Sequence, residues 1–227
     1  MDASRRIVIV GDGEFAEIAY EYFNHDSPYD VVGFAVESSY LKRSELFGLP
    51  VVAFETMESR FPAAEHGVFV AITFTQLNRV RRRLLRAAKD KGYRPVTYVS
   101  SKAFIWRNAE VGENCFVFES NVVQYSARIG NNVILWSGNH IGHRAVIGND
   151  TFLSSQVVVS GFCRIGEGCF FGVNSCVADK VEIADDCLIG AGAVVLKNTE
   201  RGKIYRGNPA VASSVASYTF FGIANDR

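Results

Sequence analysis

The sequence predicts a small α/β unit followed by a parallel β-helix of three-sided coils. Two observations carry this reading. From Ile105 to Val195 every sixth residue is large and apolar, sixteen positions in succession without a slip. Upstream, over residues 6–98, apolar strand-like runs alternate with helix-like stretches. A period of six is neither the 3.6 of a helix nor the two of a simple strand. It fits a chain that makes a short strand, turns a corner and makes another, and a fixed internal period outranks local propensity. Three hexapeptides close one coil of eighteen residues, with the apolar side chains lining the axis. Small or medium residues such as Ala109, Cys115, Ala127, Cys163 and Ala193 stand four places later and also point inward. Gly112, Gly130, Gly148 and Gly166 follow their apolar neighbours at intervals of eighteen, so they stack on one edge. There they are expected to supply unusual corner angles.

In chain order, Arg6–Val10 reads as a buried parallel strand. Gly11-Asp12-Gly13-Glu14-Phe15-Ala16 then has the G-x-G-x-x-A spacing of a phosphate loop, which uses free amides at a helix start. A helix continues through Glu17–Phe23. Val31–Glu37 is a second strand, and Glu37 ends it where a ribose-binding acid would sit. Residues 47–52 are a loop into a short strand, and Gly67–Ile72 is another strand. A helix is expected from about Gln76 to Lys91, ended by Gly92. Its run of Arg79, Arg81, Arg82, Arg83, Arg86 and Lys89 reads as a solvated face. Pro95–Val99 reads as the last strand of an open, Rossmann-like α/β unit, too short for a full two-halved dinucleotide fold. A redox NAD site is therefore disfavoured against a nucleotide or nucleotide-sugar site. After Val195, Gly207-Asn208-Pro209-Ala210 forbids another regular rung. Residues 211–227 read as a packing helix or an oligomer contact.

Composition narrows the function. The 227 residues carry formal net charge zero, which gives no electrostatic case for nucleic acid or for an anionic membrane. No apolar run is long enough to span a bilayer. The N-terminal residues lead into a run of only four apolar residues, Ile7–Val10, before Gly11, too few for a signal-peptide core, so a cytoplasmic location is expected. Four of the five cysteines occupy the inward small-residue slot, there is no CxxC, and no metal site is expected.

The hexapeptide run, the Gly207–Ala210 exit and the Gly11-Asp12-Gly13 unit together resemble the bacterial nucleotide-sugar N-acetyltransferases of the hexapeptide-repeat acyltransferase superfamily. The resemblance implies a left-handed β-helix; the period alone does not give the hand. It implies that residues 1–98 bind a nucleotide-linked amino sugar, that 99–200 form the acyltransferase β-helix and that 201–227 close it. It further implies a homotrimer, acetyl-CoA as co-substrate in a groove between neighbouring β-helices, and a role in glycan or surface-polysaccharide synthesis. Asn139–Gly148 matches the family's catalytic segment, which makes His143 the general base. His143 stands two places after the inward Ile141, so its side chain is expected to leave the coil outward. Gly161, eighteen residues on, takes the place of the family's oxyanion amide. Lys197 and Arg206 are expected at the CoA phosphates, with Pro209 shaping the wall. Gly11, Gly13, Glu37, Trp136 and His140 are expected on the substrate side.

Several positions depart from the family's pattern. Arg144 stands where a carboxylate often orients the catalytic histidine, and Trp136 where an asparagine is usual. Gly13-Glu14-Phe15 replaces Gly-Gly-His, Glu37 replaces an aspartate, and Thr73-Phe74-Thr75 replaces a Gly-Asp/Asn pair. Apart from Arg144, these departures touch sugar or nucleotide recognition. Two other readings stay open: an O-acetyltransferase using the same histidine on a hydroxyl, and a trimeric β-helix that has lost catalysis and serves as a binding module.

Overall fold

The computed structural model describes residues 5–208 and 214–215. The N-terminal unit runs β1 (Arg6–Val10), α1 (Glu14–Asp26), β2 (Asp30–Val36), β3 (Glu45–Leu46), β4 (Leu49–Ala53), β5 (Gly67–Val70), α2 (Arg79–Asp90) and β6 (Arg94–Pro95). Its sheet has the order β3-β4-β2-β1-β5-β6, parallel except for the β3–β4 hairpin. That hairpin turns through Phe47 and Gly48, both at positive φ, the backbone its two-residue loop requires. β1 lies between β2 and β5, so the glycine loop after β1 opens at a point where the strand order reverses.

From Tyr98–Val99 (β7) onward the chain is a β-helix of two-residue parallel strands, forming three sheets of seven, six and five strands. Partners are eighteen residues apart along the uninterrupted coils, as in Val123↔Ile141 and Ile147↔Ile165. The inward residues form one buried core from Cys115 to Val195. Pro95–Val99 is thus not one strand. Arg94–Pro95 pairs with β5, whereas Tyr98–Val99 pairs with Phe116–Val117 as the first rung of the coil.

The corners correct the reading of the recurrent glycines. The left-handed residue of each corner comes three places after the inward apolar residue, at every sixth position from Asn114 to Gly192. Gly112, Gly130, Gly148 and Gly166 are not at positive φ. They are needed because coils approach closely: a Cβ on Gly148 would lie 2.6 Å from the backbone of Gly166.

The residue before each inward one differs from sheet to sheet. On the first face it is Tyr98, Phe116, Ile134, Phe152, Phe170 and Leu188, and most of these pack into a shared core with Phe15, Phe23 and Phe69 of the α/β unit. This is the docked face. The second face carries Phe104, Val122, His140, Val158, Cys176 and Val194, of which Phe104, Val158 and Val194 are exposed. The third carries Glu110, Arg128, Val146, Arg164 and Glu182, with ion pairs Arg128–Glu110 and Arg164–Glu182 at 3.6 and 4.0 Å.

Polar bonds pin the docking. Asp26 at the end of α1 accepts from Ser101 N (2.9 Å), Tyr98 Oη (2.7 Å) and Ser100 Oγ (3.2 Å). The hydrogen bonds from Ser101 and Tyr98 hold its carboxyl at about 2, below the usual value. A depressed carboxylate stabilises the fold above its unfolded pKa, about 4, and loses that contribution as pH falls toward the folded value. Asp26→Ala is therefore expected to lower the urea midpoint at neutral pH, and the gap to wild type should narrow below about pH 4. A gap independent of pH would remove this role.

Candidate active site

A cavity of about 710 Å³ opens at the carboxyl ends of β1, β2 and β5. Gly11 sits at its base with φ +125°, donates to Ala35 O at 2.8 Å, and leaves no room for a side chain: a Cβ would lie 2.9 Å from Ala71 O. Gly13 starts α1, and its carbonyl accepts from Ala16 and Glu17. No atom lies within 4 Å of where a Gly13 Cβ would stand, so the helix start faces open space suited to an anionic group. Glu37 lies just past β2 and takes a bidentate bond from Arg83, at 2.7 and 2.9 Å. The β-helix supplies a further wall. Trp136 stacks on Phe118 at 4.6 Å and leans on Phe15 at 6.3 Å. Its buried Nε1–H finds no acceptor among the described residues.

Arg79, Arg82, Arg83, Arg86 and Lys89 of α2 are exposed, as a solvated face requires, but Arg81 departs from the run. Arg81 is wholly buried. Its guanidinium donates to Ile72 O (3.1 Å) and Thr73 O (2.7 Å) in the cavity wall, and to Asn132 Oδ1 (3.1 Å) and Asn132 O (2.9 Å) in the coil. Desolvation lowers its pKa to about 10, partly offset by Asp150, so it stays a cation at neutral pH. Arg79, Arg82 and Arg83 pair with Asp186, Asp150 and Glu37. The signal was present in the sequence: Arg81, Leu84, Leu85 and Ala88 share the helical spacing of one buried stripe.

His143 lies on another edge. Tyr125, His143, Gly161, Asp179 and Lys197 follow one another at intervals of eighteen, where the apolar face turns into the charged one. His143 is exposed and Gly161 is buried against it: a Cβ on Gly161 would be 2.5 Å from His143 Cε1. Phe162 meets the imidazole edge-on, with centroids 5.0 Å apart. Arg144 leaves no carboxylate beside the ring and instead lies 5.8 and 5.7 Å from the rings of Tyr125 and Phe162. The Gly161 N–H, expected as an oxyanion donor, is donated to Asp179 Oδ1 at 2.9 Å.

His140 is half-buried on the apolar face. Lys197 is exposed three coils beyond His143 on the same edge, while exposed Arg206 follows Ile204–Tyr205 on the edge that also carries Trp136. Pro209 lies outside the described residues. The edge of His143 is opposite the docked face, so a chain's own cavity and its own His143 are on different sides of the coil.

Comparison with known proteins matches this architecture. The family profile for bacterial transferase hexapeptide (six repeats) matches residues 126–161 and 162–197. No curated protein sequence matches significantly. A mutant of perosamine N-acetyltransferase from Caulobacter crescentus, solved with CoA and GDP-perosamine, superimposes with a TM-score of 0.81 at 25% identity, covering 92% of this chain and 97% of that one. The acetyltransferase domain of PglB from Neisseria gonorrhoeae gives 0.80 at 22% identity, covering 91% and 98%. WeeI from Acinetobacter baumannii gives 0.76 at 22%, covering 91% and 99%. The coil and its repeat define a hexapeptide-repeat β-helix protein carrying an α/β unit. Residues 126–197 carry the hexapeptide repeat of bacterial transferases, and the chain is similar over nearly its whole length to these acetyltransferase structures.

Proposed function

We propose that the chain transfers an acetyl group from acetyl-CoA to the amino group of a nucleotide-linked amino sugar, with His143 as general base. The observation that carries the reading is the exposed imidazole of His143 on a coil edge, packed over a glycine and bordering an unpartnered apolar face. The sugar amine attacks the thioester carbonyl while the imidazole takes its proton. The tetrahedral intermediate collapses, the C–S bond breaks, and the CoA thiolate leaves with a proton from the imidazolium. A fixed amide donor stabilises the developing oxyanion. The cavity takes the nucleotide: the open start of α1 at Gly13 faces the diphosphate, Glu37 the ribose, and Trp136 and His140 lie toward the sugar. Lys197 and Arg206 are the cations available to CoA phosphates.

A second copy is required on this reading. Among the described residues, the apolar face is the side of the coil that neither the α/β unit nor charge covers, and self-association would bury Phe104, Val158 and Val194. Packed there in a cyclic trimer, a neighbour would bring its His143 edge toward this chain's cavity. Thiol release from acetyl-CoA with a panel of amino-sugar nucleotides tests the function. Turnover is expected with the amines and absent with their hydroxyl analogues. The reverse preference would make the chain an O-acetyltransferase, and absence of acetyl-CoA binding would leave the binding-module reading.

A further inference from the structure

We infer that Asp179 is a displaceable occupant of the oxyanion site, a positioning residue whose release from Gly161 accompanies acetyl-CoA binding. The inference rests on the acyltransfer reading above. The amide hydrogens around the imidazole can be counted. Gly142 N donates to Val159 O, Arg144 N to Tyr125 O and Phe162 N to His143 O, all main-chain bonds that hold coil to coil. Among the described residues, two amides of this corner end on side chains: His143 N on Gln124 Oε1 at 3.0 Å, and Gly161 N on Asp179 Oδ1 at 2.9 Å. Of these, the Gly161 amide belongs to the residue that lies directly against the imidazole.

An acyl oxygen that is to gain negative charge beside His143 can therefore reach an amide donor at Gly161 only by replacing the Asp179 carboxylate. If Asp179 stayed, a fixed negative charge would face the developing oxyanion and oppose it. The exchange is feasible because Asp179 is exposed, and a side chain can turn away without breaking a rung. Lys197 follows Asp179 in the same edge stack, one coil on, and offers the freed carboxylate a cation within about one strand spacing. The bond to Asp179 also resembles the coil's other corner bonds, such as Glu113 N to Asn131 and Asn131 N to Asn149. What sets it apart is its place beside His143.

The test compares Asp179→Asn and Asp179→Ala with the wild-type trimer by calorimetric titration of acetyl-CoA and of CoA. Asparagine keeps a neutral acceptor for the corner and so preserves the fold while weakening the plug. Acetyl-CoA is expected to bind several-fold more tightly to both variants, with CoA affinity unchanged because CoA has no acyl oxygen. kcat/KM for acetyl-CoA should rise on the order of tenfold. Equal gains for acetyl-CoA and CoA would mean that the carboxylate acts on the ligand's phosphates by charge alone, and would overturn the inference. Unchanged or weaker acetyl-CoA binding with an unaltered melting temperature would also overturn it. If the wild-type chain binds CoA and acetyl-CoA but transfers to no amine, the acyltransfer reading fails while the binding ratio still decides on Asp179. If it binds neither, both fall together.

Discussion

His143→Ala is expected to lower kcat by about 10²–10⁴ while leaving the nucleotide-sugar KM nearly unchanged, because it removes the proton acceptor and not the binding surface. The fold should survive. His143 is exposed, and its imidazole makes no hydrogen bond among the described residues. The sharper form of the prediction mixes two inactive chains. Gly13→Val would fill the open space over the start of α1 and block the cavity while keeping His143. Within a cyclic trimer, a site that draws its cavity and its histidine from neighbouring chains is intact in about a quarter of cases in an equal random mixture. Co-refolded His143→Ala and Gly13→Val chains are thus expected to recover about a quarter of wild-type turnover. If each chain served its own cavity, the mixture would stay inactive.

Arg81→Met should destabilise the molecule by about 3 kcal/mol, since it strands several buried carbonyls that the guanidinium now satisfies. For a chain of this size that corresponds to a fall in melting temperature of about 6–12 °C. Arg81→Lys should not restore stability, because an ammonium cannot span the fork from Ile72 and Thr73 to Asn132. The cavity wall at residues 72–73 loses its tie to the coil in both variants, so the nucleotide-sugar KM should rise as well. A melting temperature within about 2 °C of wild type for Arg81→Met would remove Arg81 from this role.

The coil was legible in the sequence because its cause is local. One apolar residue per six fixes which side chains face the axis, and the prediction from Ile105 to Val195 matches the buried core residue by residue, with only Ile105 and Val111 partly exposed at the first turns. The glycine loop and the strands of the α/β unit were legible for a similar reason. The role of the stacked glycines was misread, since close approach between coils is invisible in one hexapeptide. The three distinct faces could have been read from the residue before each inward one. Aromatic Tyr98, Phe116, Phe152 and Phe170 recur on one face, and Glu110, Arg128, Arg164 and Glu182 on another. That signal has period eighteen and vanishes when only six is counted.

By itself, then, the sequence determined the register of the spool, the inward and outward sense of every rung, and the outward placing of the imidazole at 143. Those follow from chain-local sterics and hydrophobic alternation. Only the tertiary structure decided that the α/β unit seats on the face opposite that imidazole, that Arg81 is a buried tie, and that Asp179 holds the Gly161 amide. The first two depend on residues far apart in sequence meeting across a docked surface, and the third on two successive coils stacking at one corner, so the free energy of each is a property of two surfaces together.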